Sequence, residues 1–345
     1  MSGPATGLLL ATLVCALTAA MAAAISVGSV NLPLAKVWGV IWAHLSGHDA
    51  DPLLDQVVWQ IRTPRVLLAA LAGAGLSVAG VALQALVRNP LADPYILGVS
   101  SGASLGAVLV PALGGTVLGG LVGTLGITGA AFTAAMLSSA LVYLLAQRAG
   151  RLLDSWLVLT GVAIGYLCTA ATTFVQLQLN PTELQGMMFW LMGSVAGASW
   201  QDLGLPSAVI LGCLTCLLLQ ARALNALLAG EEAATGMGIS VPALRVGLLV
   251  IGSLLTATVV SVAGGIGFIG LMVPHMVRLV VGADHRRVLP VALLTGAVFM
   301  VLVDLAARTA ARPDELPVGI FTTGLGVPFF LLLLRRRARG GDHAS

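Results

Sequence analysis

The chain has 345 residues, of which 58% are hydrophobic and only 9% charged, with a formal net charge of +3. A water-soluble domain of this size needs far more charge than that, so the class is a polytopic membrane protein. Glycine is abundant (42 residues) and aromatic residues make up 5%, which favours tightly packed helices over a β-barrel with its aromatic girdles.

A helix needs about 20 apolar residues to cross the hydrocarbon, and roughly ten such runs fit the chain. They are predicted at 5–27, 64–86, 98–117, 121–146, 155–178, 190–220 (after a short external piece), 242–262, 264–281, 288–308 and 316–334. The first run lacks a basic leader and is long enough to span, so it reads as a membrane helix. The stretch 28–61 follows as an external loop. Its His44 and His48 precede Asp49 and Asp51, but no third ligand geometry is clear, and ordinary loop polarity is the better reading. Arg62 and Arg65 in "RTPR" open the second run, and "RNPLADPYILGVSSGASLG" (88–106) ends it. Pro90 and Pro94 each remove a backbone donor and restrict the residue before them. Asn89 and Asp93 are suited to capping the exposed backbone. Gly98, Gly102 and Gly106, with Ser100, Ser101 and Ser104 between them, make a small-residue face, for a close helix contact or for a path wall free of side chains.

Asp154 and Ser155 open the fifth run. Cys15, Cys168, Cys213 and Cys216 all lie inside apolar runs, and the CxxC at 213–216 reads as packing rather than metal or redox chemistry. The loop at about 222–241 reads as two short helices joined at Gly230, with Glu231 and Glu232 at the start of the second, where acids favour a helix N-terminus. "GGIGFIG" holds a literal GxGxxG at Gly265, Gly267 and Gly270. A dinucleotide site needs a preceding strand and an acid about 20 residues on, whereas Asp284 comes too soon, so a helix or half-helix with close backbone packing is expected. His275 reads as a hydrogen-bonded structural histidine.

Orientation follows from the basic residues. With the N-terminus inside, Arg88, Arg148, Arg151, Arg222, Arg245, Arg278, Arg286, Arg287, Arg335, Arg336, Arg337 and Arg339 are inward, and Lys36, Arg62, Arg65, Arg308 and Arg312 outward. Twelve against five puts both termini in the cytoplasm. The one lysine, Lys36, is not in a Gly-x4-Gly-Lys-Ser/Thr loop, so any ATP is hydrolysed by another chain.

The stretch from "RTPR" through "RNPLADPYILGVSSGASLG" resembles the permease subunits of FecCD/BtuC-type ABC importers for iron–siderophore, haem and cobalamin. "LTGVAIG", "FWLMGSVAGASW", "LNALLAGEEAATGMGISV", "GGIGFIGLMVPHMVRLVVGADHRRVLP", "DLAAR" and "ELPVGIFTTGLGVPFFLLLLRR" follow in family order, so the likeness runs from about residue 60 to 336. It implies an all-α, type II ABC importer permease fold and a single transmembrane domain over 1–345. The protein would lie in the cytoplasmic (inner) membrane of a bacterium. It implies a second permease copy, two ABC ATPase subunits that use ATP and Mg, and a periplasmic or lipoprotein solute-binding protein. It implies no cofactor, metal or nucleic acid on this chain.

By the same resemblance, Arg62, Arg65 and Arg308 meet acidic residues of the binding protein, which suits a rigid guanidinium fork; the residues alone fit snorkelling anchors equally well. Leu227, Leu228, Gly230, Glu231, Glu232, Ala233, Ala234, Gly236, Met237 and Gly238 would form the element that couples to the ATPase. Gly236–Met237 departs from the family's usual Ser–Leu-like pair. The third, fifth and tenth runs would line the path, with Asn89, Pro90, Asp93, Pro94, Gly98, Ser100, Ser101, Gly102 and Gly106 at the helix break beside it. Gly161, Gly165, Gly324 and Gly326 fit helix contact or path. Asp154 and Ser155 align with a cytoplasmic gate. An acid is unusual there, and Asp154 has the alternatives of pairing with Arg151 or capping the helix. The expected cargo is a ferric siderophore or haem, with cobalamin the alternative. An ion-coupled secondary transporter is the main different class. It needs several buried ionisable relays, and only Asp304, one turn from Arg308, qualifies.

Overall fold

The computed structural model describes residues 3–28, 32–114, 117–148, 151–311 and 314–341. The chain is built almost wholly of helices. In order they are α1 (Gly3–Ser26), α2 (Leu34–Ser46), α3 (Pro52–Asp55) running through a π-helical Gln56–Arg62 into α4 (Thr63–Leu86), a 3₁₀ turn at Pro94–Leu97, α5 (Val99–Leu113) and α6 (Val117–Ala146). A two-residue antiparallel ladder of Gln147–Arg148 with Arg151–Leu152 precedes α7 (Asp154–Gln176). Then come α8 (Pro181–Leu191), a 3₁₀ turn at Trp200–Asp202, α9 (Gly204–Leu219), α10 (Ala221–Leu228), α11 (Glu231–Gly236), α12 (Val241–Ala263), α13 (Ile269–Val281), α14 (His285–Ala307) and α15 (Val318–Gly341).

Among the described residues seven helices are long and apolar enough to cross a membrane, and Val99–Leu113, Ile269–Val281 and Val318–Leu333 are shorter apolar helices. They fall on the predicted runs, with three corrections. The sixth run starts later than predicted: the piece before it is a separate helix, α8, capped by Asn180 with Glu183 in a reciprocal capping box, and the continuous span is Trp200–Leu219. The eighth is helical only from Ile269, because Gly264 (φ +68°) and Phe268 (φ +69°) break the backbone before it. The stretch 28–61, predicted as an external loop, is not a plain loop but carries α2, α3 and the root of α4.

The core is organised around α4. Nearly all of its residues from Thr63 to Leu86 are buried, and α12, α13 and α14 pack on it. Small residues allow this: a Cβ at Gly73 would meet the carbonyl of Gly296 on α14, and one at Gly80 the carbonyl of Gly270 on α13. With no water inside a bilayer to drive helices together, close backbone approach of this kind supplies the packing energy. By contrast α7 and α15 keep large apolar side chains exposed, Leu159, Tyr166 and Phe174 on one and Ile320, Leu325 and Leu331 on the other.

The broken segments satisfy one another. The hydroxyl of Tyr95 accepts from the Ile266 amide at 2.6 Å. The Asp93 carboxylate accepts from Tyr95 N at 2.8 Å and also from the Phe268 amide. Ser194 N donates to Ala263 O at 2.8 Å, and Val318 N to Gly193 O at 3.1 Å. Irregular backbone survives between the apolar helices because protein groups take up its freed donors.

Candidate functional site

The side chains of interest collect at the two ends of α4. Its 24 residues, at about 1.5 Å rise each, hold the two groups about 36 Å apart.

At its N-terminal end lies a buried arginine cluster. Arg65 Nε donates to Asp304 Oδ1 at 3.0 Å, and its Nη1 donates to Glu315 Oε2 at 2.7 Å. Arg308 Nη2 stands 3.4 Å from Asp304 Oδ2, one helical turn along α14. Arg62 Nη1 donates to the carbonyls of Ile25 at 3.0 Å and Ser26 at 3.1 Å, closing the C-terminus of α1. Arg62, Arg65 and Arg308 are 5%, 7% and 2% exposed, and Asp304 is fully buried. The three predicted docking arginines are therefore together, but beneath the surface and engaged within the chain. Glu315, which sequence reasoning missed, is the more open partner, its side chain 34% exposed. Arg312 lies outside the described residues.

At the C-terminal end of α4 four charged residues from four segments form a ring. Arg88 Nη2 lies 3.2 Å from Asp154 Oδ2 and 3.3 Å from Glu231 Oε1. Arg245 Nη1 donates to Glu231 Oε1 at 2.9 Å, and Arg245 also pairs with Asp154 Oδ1. The ring joins the end of α4, the start of α7, the start of α11 and α12. Asp154 thus does not cap its own helix, where Leu153 is the N-cap; the alternative partner, Arg151, has its side chain outside the described residues. Ser155 is exposed beside it. Arg88 takes a left-handed conformation (φ +52°), which costs a non-glycine residue roughly 1 kcal/mol or more and aims its guanidinium back at both carboxylates. The ring lines a cavity of about 620 Å³, together with Tyr143 and Val246.

The predicted paired helices of the 222–241 loop are α10 and α11, separated by Gly230 at φ +111°, with Glu231 and Glu232 opening the second. Leu227 and Ala234 are buried, holding the loop to the bundle. Leu228 (53%) and Met237 (62%) project outward, and Glu232, Gly236 and Gly238 are exposed with them, while Ala233 is half-buried. The loop has a second tie. Asn225 Nδ2 donates to Asp284 Oδ1 at 2.6 Å, and its Oδ1 accepts from His285 N and faces His285 Nδ1, both at 2.9 Å. The amide oxygen can only accept, so Nδ1 carries the proton. Asn225 is the main cause, ahead of Arg286 and Arg287, of a pKa at Asp284 below the usual carboxylate value. A cavity of about 440 Å³ lies behind α10, lined by Leu224, Leu227, Gln84, Arg278 and His285.

The helix-break residues sit where the chain turns from α4 to α5. Asn89 Oδ1 accepts from Leu91 N at 3.0 Å. Pro90 borders the smaller cavity, and Pro94 packs on Gly270. Burial raises the pKa of Asp93 above the usual carboxylate range despite its two backbone donors. Gly98 adopts φ +69° and its carbonyl accepts from Ser138 Oγ at 2.9 Å. Gly102 and Gly106 lie against α6, where a Cβ would meet the carbonyls of Ala134 and Ala130. These two are helix-contact glycines. Ser100 faces Gly265, and Ser101 and Ile96 face Gly165 and Gly161 of α7. Gly326 packs on the Phe268 ring, whereas Gly324 borders open space.

The residues missed in the sequence, Arg245, Asn225, His285 and Glu315, share one property: their partners lie 14 to 250 positions away. No local spacing reveals such pairs. Among the described residues no group of three His, Cys, Asp or Glu side chains is placed to hold a metal ion.

The model of the FecCD transport family matches residues 15–336. The chain is 43% identical over 306 residues to the cobalamin import system permease protein BtuC of Halobacterium salinarum, covering 87% of this chain and 80% of that one. It is 39% identical over 325 residues to the hemin transport system permease protein HmuU of Yersinia pestis, covering 91% and 92%. In structure it is similar to a solved ABC transporter described as of the metal-chelate type, in an inward-facing conformation. The TM-score is 0.79 at 32% identity, over 95% of this chain and 98% of that one.

Proposed function

The chain belongs to the FecCD transport family, and from that premise we propose that it is the membrane-spanning permease of an ATP-driven importer. It would lie in the cytoplasmic membrane of a bacterium with ten passages and both termini inside, as one domain paired with a second copy. Its proposed cargo is an iron chelate, a ferric siderophore or haem, with cobalamin the alternative. One relative carries the name of a hemin system and another that of a cobalamin system.

The observation that carries the reading is the ring of Arg88, Asp154, Glu231 and Arg245. It ties the short helix α11, and through it α10, to three long helices at once, so a push on that loop would reach α4, α7 and α12 together. Separate ATPase subunits would deliver the push through the exposed Leu228, Glu232 and Met237. They would bind the ATP and Mg, and this chain contributes no catalytic group. Asp154 and Ser155 would then act at the inner gate as members of the ring. Around the path, α5, α7 and α15 would face their counterparts in the second copy. The exposed apolar faces of α7 and α15 support this, since among the described residues nothing covers them.

Docking of the solute-binding protein would use the opposite end. With three guanidiniums against the carboxylates of Asp304 and Glu315, the cluster has one positive charge in excess. Beneath the rim it acts as a field for an acidic partner rather than as a set of open forks. Uptake of labelled ferric siderophore, haem and cobalamin by cells lacking the chain, against cells complemented with it, tests the reading. Loss of one cargo, restored by the wild-type chain and abolished by ATP depletion, is the expected result. Unchanged uptake of all three removes the proposed cargoes.

A further inference from the structure

The external segment between α1 and α4 holds a feature that transport as described does not use. Helix α2 has an apolar arc wider than the protein covers. Val37 and Val40 are buried and Ile41 packs on the core. Leu34, Trp38, Trp42 and Leu45 continue the same arc but are 61%, 43%, 71% and 74% exposed. At about 100° per residue these four fall within about 80° of one another. Lys36, Gly39 and Ser46 occupy the remaining face. The helix stops cleanly at Gly47 (φ +73°), whose amide donates to Ala43 O.

Place decides what covers the exposed half. The helix is flanked in sequence by Ala5–Ser26 and Pro52–Leu86, both apolar enough to span a membrane, so it sits where two spans reach the boundary. Its bare stripe is extended by Leu53 (76%) and Ile61 (48%), at the root of the second span. Tryptophan favours this depth, with an apolar ring and a polar N–H. We propose that α2 is an in-plane membrane anchor, with Leu34, Trp38, Trp42 and Leu45 seated at the headgroup–acyl boundary of the leaflet on the arginine-cluster side. The proposal rests on the chain being a multi-pass membrane protein, and not on its cargo or its ATPase.

The anchor is fastened to the bundle. His44 on its inner face pairs with Asp55 at 2.5 Å and stacks on Trp59, with ring centroids 4.0 Å apart. Trp200 Nε1 donates to the Trp59 carbonyl at 2.9 Å, and Arg62 follows three residues later. The depth of α2 in the leaflet thereby sets the height of the arginine end above the membrane. With Lys36 as its one basic residue besides His44, α2 binds through apolar burial, so its insertion does not depend on anionic lipid.

The test uses the full chain with its ATPase, reconstituted in phosphatidylcholine vesicles with and without phosphatidylglycerol. In a background with Cys15, Cys168, Cys213 and Cys216 replaced by alanine, single cysteines at 38, 42, 45, 36 or 46 receive a nitroxide label. Accessibility to oxygen and to a water-soluble nickel complex is then read by power saturation. Labels at 38, 42 and 45 are expected to favour oxygen several-fold over those at 36 and 46, equally in both lipids. Nickel access at all five positions overturns the proposal. Labels at 38, 42 and 45 closed to both reagents also overturn it, since a second copy or another protein then covers the stripe. A second readout needs no cysteine-free background: quenching of tryptophan emission by brominated lipid must fall in the Trp38→Phe/Trp42→Phe double variant. Unchanged quenching excludes contact of these two rings with the acyl chains.

Discussion

The two polar clusters at the ends of α4 use the same chemistry, guanidinium against carboxylate, in opposite surroundings. In the Arg65–Asp304–Arg308 group every side chain is 8% exposed or less. In the ring at the other end, Arg88, Asp154 and Glu231 are 44%, 28% and 41% exposed, and only Arg245 is closed in. A buried pair has lost the water that would replace a missing partner, so it holds one geometry. A half-solvated ring can exchange partners at small cost, because water and screening take up the difference. The first arrangement suits a fixed frame, and the second suits a joint of the kind the proposed transport reading calls for.

The largest effect that would break this contrast is at Asp304. Asp304→Ala leaves the buried Arg308 guanidinium without its carboxylate and Arg65 with Glu315 alone, a loss of about 3–5 kcal/mol, and the folded yield in detergent is expected to collapse. A normal yield would mean that the cluster is wetter than its burial implies. Glu231→Gln removes one half-exposed charge of the ring, worth under about 1 kcal/mol after solvent screening. Folded yield should hold while uptake falls and ATP hydrolysis by the proposed ATPase subunits continues. If yield falls as for Asp304, both clusters are structural and the contrast fails.

Arg88 sharpens it further. Arg88→Gly relieves the left-handed strain while losing the two ring contacts, so its stability should exceed that of Arg88→Ala by roughly 1 kcal/mol. Melting of the two variants side by side measures the difference, and both should lose uptake alike. The smallest effect is a pH dependence at Asp93. Its folded pKa is raised, so the native state binds more protons than the unfolded chain between the ordinary carboxylate value of about 3.9 and the folded value. Stability therefore falls as pH rises through that window. Asp93→Asn keeps an oxygen for the Tyr95 and Phe268 amides without the buried charge. It should melt higher than wild type at pH 7, with the gap closing on acidification.

Much of the architecture was legible because a membrane chain writes its spans as uninterrupted apolar length. The fall of the spans, the turn at Pro90–Pro94, the helix pair about Gly230 and the half-helix after "GGIGFIG" all follow from local chemistry. The errors arose where local chemistry was ambiguous. The stretch 28–61 has the polarity of a loop, yet its apolar residues at 34, 37, 38, 41, 42 and 45 keep helical spacing. The glycines at 102 and 106 fit a helix contact and a path wall equally, until α6 is seen against them.

Composition and period determined by themselves that this chain is a bundle of membrane helices, where it breaks, and which end carries its loop of paired short helices. Pairing was decided by the tertiary structure alone. Arg65 meets Asp304 and Glu315 across 239 and 250 positions, and Arg88 meets Asp154 across 66. Only the packing of α4 against α14 and α12, with the start of α7 brought to its end, fixes which charges are dried and locked and which stay wet. The physical reason is that hydropathy is a property of each segment, whereas the cost of a charge depends on what the rest of the chain places around it.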